Sequence, residues 1–218
     1  MRFSIGLIFL FSCAVQADTW IWSVNQSVPD NDFSGLQNTQ SVSGYAEVIE
    51  SISVRLHISG DPLAFGGDLF VSLQSENGGY AVLLNRVGRT EADPFGFDTN
   101  GFDVRFELGA ADIHRYRDFD FTYNPEGALL GTWGADARHV DPDLVLDSDA
   151  RTRDLDQFTG INPNGNWTLF AADLSQFGTA RLESWGLDIV VVPEPAALLL
   201  AGMLLGLAGL QACWRRKR

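Results

Sequence analysis

The octapeptide SISVRLHI, residues 51–58, alternates without a break: Ile52, Val54, Leu56 and Ile58 fall on one side, Ser51, Ser53, Arg55 and His57 on the other. A period of two marks a strand buried on one face, because successive side chains of an extended chain point to opposite sides of a sheet. GFDVRFEL, residues 101–108, repeats the pattern, with Phe102, Val104, Phe106 and Leu108 set against Asp103, Arg105 and Glu107. Five further apolar runs, TWIWSV, DLFVSL, YAVLL, NWTLFAA and WGLDIVVV, begin at Thr19, Asp68, Tyr80, Asn166 and Trp185. Pro29, Pro62, Pro94, Pro125, Pro142 and Pro163 all fall in the gaps between runs, where turns are expected. Many short strands with turn punctuation and little helical periodicity predict an all-β domain, a β-sandwich or jelly roll. Trp167 and Trp185, in the last two runs, are expected to anchor its core, since each can bury a large apolar area.

The two ends of the chain read differently. Residues 1–17, MRFSIGLIFLFSCAVQA, place one charge at Arg2, an apolar run from Ile5 to Phe11 and small residues up to Ala17. That order predicts a secretory signal peptide cut between Ala17 and Asp18. At the other end, Ala196 to Trp214 is free of charge and is followed at once by Arg215, Arg216, Lys217 and Arg218. As a helix this run would be about 28 Å long, enough to cross the hydrocarbon layer once. The basic cluster would stay on the cytoplasmic side and leave the preceding domain outside. The expected organisation is a signal peptide at 1–17, an exported domain at 18–192 and a tail at 193–218, with a transmembrane helix at about 196–214 and a basic end at 215–218.

Val192-Pro193-Glu194-Pro195, an apolar span and a terminal basic cluster, in that order, resemble the PEP-CTERM sorting signal of Gram-negative bacteria that make exopolysaccharide. The resemblance implies recognition by a membrane-embedded exosortase, removal of the tail and delivery to the cell surface or extracellular matrix. A permanent single-span anchor is the alternative. Pro193 and Pro195 favour an extended backbone that a processing enzyme can reach.

The exported domain, 175 residues, is long enough for one sizeable core. Cys13 and Cys213 both lie outside it, so it holds together without a disulfide. It contains 10 arginines, no lysine and 27 Asp and Glu, a formal charge of −17. Nucleic acid and anionic lipid are poor partners for such a surface.

Three stretches of this domain are similar to the P domain (Homo B domain) that accompanies subtilisin-like proprotein convertases. They are VPDNDFSGLQNTQSVSG with the strand that follows, residues 28–60; GGDLFVSLQSENGGYAVLLNR, residues 66–86; and NPNGNWTLFAADLSQFGTARLESWGLDI, residues 162–189. This sequence departs from the family at Asn166, where the family has threonine, and in the turn Ser75-Glu76-Asn77-Gly78, which lacks the family's proline. The resemblance implies a jelly roll, a non-catalytic role beside a serine endopeptidase, and calcium sites.

No GxSxG, HExxH or cysteine pair is present in the domain, and His57, His114 and His139 are far apart. HVDPDLVLDSDARTRDLD, residues 139–156, crowds six aspartates among two arginines. Asp141, Asp143, Asp147 and Asp149 are the candidate ligands there for Ca²⁺, which takes six to eight oxygens in irregular geometry; a solvated acidic loop balanced by its own arginines is the alternative. Three functions follow as expectations: a non-enzymatic surface or matrix module binding polysaccharide or matrix proteins, a polysaccharide hydrolase using a carboxylate pair, and an accessory domain of a separate protease. If a sugar-binding surface exists, Trp20, Trp22, Trp133, Tyr80, Tyr116 and Tyr123 are its expected aromatic residues.

Overall fold

The computed structural model describes residues 16–192. Ten strands are ordered β1 Gln16–Ser27, β2 Leu36–Val42, β3 Val48–Gly60, β4 Leu69–Ser75, β5 Tyr80–Asn85, β6 Gly101–Phe106, β7 Thr122–Tyr123, β8 Leu129–Trp133, β9 Gly165–Asp173 and β10 Ala180–Val192. They form a six-stranded sheet, β1-β10-β3-β6-β8-β7, and a four-stranded sheet, β2-β9-β4-β5. All pairings are antiparallel except β6 with β8. Among the described residues no helix is long and apolar enough to cross a membrane. Most of the signal peptide and all of the tail beyond Val192 lie outside the described residues.

The alternation seen at 51–58 is realised literally. Ile52, Val54, Leu56 and Ile58 are buried, and so are Phe102, Val104 and Phe106 opposite them on β6. The run ends at Phe106, because Leu108 has left the sheet and is exposed. The facing sheet contributes Val71, Leu73, Leu169 and Ala171. Trp167 and Trp185 are both fully buried. Each indole nitrogen keeps an acceptor, Pro163 O at 2.9 Å for Trp167 and Asn38 Oδ1 at 2.8 Å for Trp185, so neither burial leaves an unpaired donor.

β5 lies at the end of its sheet, yet nearly all its side chains are buried. Residues 135–158 cover it, and their backbone bonds to Val82 and Leu83 at 2.8–3.1 Å. That covering protects an edge that would otherwise be open to pairing with another chain.

The register sets the two ends of the domain apart. Gln16 pairs with Val191 and Val48 with Val192, so the start of β1, the start of β3 and the end of β10 meet at one pole. Gly60 pairs with Ala180, and Leu69 with Asp173, at the opposite pole. β10 has 13 residues and spans the whole distance, roughly 40 Å at the usual strand rise.

Candidate functional site

Three segments of the far pole build an open groove of about 560 Å³: the Phe65–Asp68 entrance to β4, the loop from β5 to β6, and the loop from β9 to β10. Gly67 permits the approach of the first two. A Cβ there would collide with the Phe95 carbonyl oxygen and with Gly96, so only glycine lets these backbones touch. Phe95 and Phe177 project from opposite loops into the groove and are 77% and 78% exposed, the most exposed large apolar side chains among the described residues. Phe177 also has φ of 75°, in the left-handed region that costs a bulky residue of the order of 1 kcal/mol or more.

The floor is polar and buried. Arg86, likewise left-handed at φ 47°, donates from Nε to Gly67 O at 2.9 Å and from Nη2 to Ser175 Oγ at 3.0 Å. Its Nη1 meets Asp143 Oδ1 at 3.2 Å, and Asp68 lies 3.6 Å from Nη2. One guanidinium thus ties all three segments together. Asp173, fully buried behind the groove, accepts from the Ser175 amide at 3.5 Å. Burial, with Asp68 and Asp30 close by, pushes its carboxyl up to about 7. Burial raises Asp68 as well, against the pull of Ser175 and Arg86. The floor holds more carboxylate than its one cation neutralises.

A second buried polar cluster lies beside it. His114 Nδ1 is 2.7 Å from Asp136 Oδ2, and its Nε2 is 3.0 Å from Arg89 O. Both neighbours accept hydrogen bonds, so both ring nitrogens donate and the ring is an imidazolium. Burial opposes that charge, but Asp136 and the Arg89 carbonyl outweigh it, and the His114 pKa lies above its ordinary value. Arg138 closes the cluster on Asp112 at 2.7 Å and Asp136 at 3.2 Å. With both nitrogens engaged and no exposure, His114 is a structural cation and has no free nitrogen to act as a base.

His57 faces outward on β3, directly opposite Ser184 on β10 and Asp103 on β6. The three residue types of a hydrolytic triad therefore lie in a row. Among the described residues no side-chain hydrogen bond joins them, so they are not assembled as a triad.

The candidate calcium ligands take separate local roles. Asp141 accepts from the Asp143 amide at 2.9 Å, Asp143 pairs with Arg86, the Asp147 carbonyl accepts from Arg138 at 2.8 Å, and Asp149 accepts from the Leu146 amide at 2.8 Å. Among the described residues no group of three or more His, Cys, Asp or Glu side chains is gathered as a metal site, so these four do not form one cluster. The expected sugar-binding aromatics also lie elsewhere. Tyr116 and Trp133 are buried, Trp20 and Trp22 pack against the core, Tyr80 is half-buried against His139, and Tyr123 bonds Tyr116. Phe95 and Phe177, which form the groove, carry no periodic signal because both sit in loops.

Ala17 and Asp18, at the expected signal-peptide cut, are the second and third residues of β1, opposite Val190 and Ile189. Val192 is the last residue of β10, while Pro193, Glu194, Pro195, Arg215, Arg216, Lys217 and Arg218 lie outside the described residues.

Residues 191–217 match the family model described as the PEP-CTERM protein-sorting motif. This motif marks an exported protein that an exosortase sorts. No curated protein sequence matches the chain. Among solved structures, the Aeromonas sobria serine protease in complex with its chaperone is 14% identical, with a TM-score of 0.46, over 83% of this chain and 28% of that one. The same serine protease without the chaperone is 13% identical, with a TM-score of 0.44, over 82% and 27%. The chain spans less than a third of the length of these structures.

Proposed function

We propose that residues 18–192 form an exported, jelly-roll binding module of the P-domain type, which works at the cell surface or in the extracellular matrix without catalysis of its own. Signal peptidase removes residues 1–17, and an exosortase acts near Pro193-Glu194-Pro195, releasing the domain from the helix at about 196–214. One observation carries this reading: the sorting motif at 191–217 overlaps β10 by two residues, while the aromatic groove lies at the other end of that strand. A domain held at its tail would thus present its groove away from the membrane by roughly the length of β10, about 40 Å.

The full burial of Asp173 and His114 supports binding over hydrolysis, because neither offers a free acid or base to a substrate. Attachment to an anionic polysaccharide is disfavoured by the charge of −17; neutral glycans and matrix proteins remain the fitting partners. The test is genetic. In a host strain lacking its exosortase, the chain should remain in the membrane fraction with its tail intact, whereas the parent strain should deliver a shortened form to the surface. Identical fractionation and identical masses in the two strains would refute the sorting step.

A further inference from the structure

We infer that the far-pole groove receives a basic side chain of a partner polypeptide, held between Phe95 and Phe177 with apolar residues of the partner on either side. The inference rests on the reading of residues 18–192 as a binding module and adds the chemistry of what is bound. The walls, Phe65, Phe95, Phe97 and Phe177, are hydrocarbon, so the occupant must bring apolar surface to cover them. The charged groups select its sign. Arg86 donates to Gly67, Ser175 and Asp143 and faces Asp68 at 3.6 Å, so its charge is already met by two carboxylates within the floor. Arg117, near the rim, is taken by Asp98.

The carboxylates, by contrast, outnumber the cations: Asp68, Asp98 and Asp143 share the two guanidiniums of Arg86 and Arg117. A neutral sugar would gain nothing from this excess of charge, and Gln176 is the one amide side chain on the lining. A guanidinium or ammonium gains from both features, because it is attracted by the face of an aromatic ring as well as by carboxylates. The molecule already makes this pairing once, with the Arg117 guanidinium 4.3 Å from the centre of the Phe97 ring. The formal charge of −17 would draw a basic partner from a distance.

The test is a titration of the protein purified from its host, full-length in detergent or processed, with acetyl-Leu-Arg-Leu-Arg-Leu-amide. The controls are the same peptide with citrulline for arginine and a neutral oligosaccharide. Binding should weaken at least tenfold for the citrulline peptide and at least tenfold for the Phe95→Ser/Phe177→Ser variant, whose exposed substitutions leave the thermal midpoint unchanged. Equal binding of the two peptides would overturn the selection of charge. Binding of the arginine peptide that survives the double substitution would overturn the site. Saturable binding of the oligosaccharide with none of the peptide would overturn the class of ligand. The mass of the same preparation reports on sorting, so failure of the module reading and failure of this inference are told apart.

Discussion

Asp18 lies opposite Ile189 in the β1–β10 ladder, so the residue at which the proposed signal-peptide cut would begin the chain shares a rung with one three positions from the end of β10. Both proposed cuts therefore fall at one pole, and the rest of the domain extends away from it. A chain ended after Val192 should melt as the longer chain does. One ended after Ile189 loses the fully buried Val191 and its ladder bonds to β3, and should lose about 2–4 kcal/mol in denaturant unfolding.

Arg86→Met removes the one cation among the buried floor carboxylates. Uncompensated charge of this kind costs about 3–5 kcal/mol, so the variant should be strongly destabilised at pH 8. The deficit should shrink as the pH falls and Asp68 and Asp173 take up protons in the native state. A deficit that stays constant from pH 8 to pH 5 would mean that packing of the side chain, and not its charge, holds the three segments.

The stability of the parent domain should fall as the pH rises from 4 to 8. Asp173 has a native pKa of about 7 against about 3.9 for an ordinary aspartate, so the folded state holds a proton that the unfolded chain has released. Its contribution is complete below pH 4 and is lost as the pH passes 7, with a slope of at most about 1.4 kcal/mol per pH unit. His114 acts in the same sense at higher pH, since its raised pKa lends stability below about 6.5 that disappears above its native value. Asp173→Asn should flatten the lower part of the curve and His114→Gln the upper part, as followed by urea unfolding at a series of pH values.

Gly67→Ala should open the groove from below. The added methyl group collides with the Phe95 carbonyl, and the loop must move or the backbone must strain, at about 1–3 kcal/mol. Groove binding should fall with stability, whereas Gly78→Ala, where a Cβ meets nothing within 4 Å, should leave binding intact although its φ of 105° still disfavours alanine. Loss of binding in both variants would locate the ligand elsewhere.

Strands were legible in proportion to their alternation. Residues 51–58 and 101–106 are strands with the faces that their sequence pattern requires, because a one-residue slip would turn Ile52, Val54, Leu56 and Ile58 to solvent. The sorting motif was legible because its order is linear and needs no fold. The groove was not. Asp68, Asp143 and Ser175 meet Arg86 across as many as 89 positions of sequence, and no spacing within one segment reports such a meeting. The same reason explains the aspartates of residues 141–149. Their crowding in sequence does not report that Asp141 and Asp149 accept from nearby amides while Asp143 pairs with a distant arginine. Tyr116 and Trp133 are buried against each other, with Phe97 on Tyr116, in loops and short strands that carry little periodic signal.

The most direct measurement is the intact mass of the protein taken from its native host. The account predicts a chain that starts at Asp18 and ends between Val192 and Pro195, recovered outside the inner membrane. A chain that still carries Arg218, or one that begins at Met1, would contradict it.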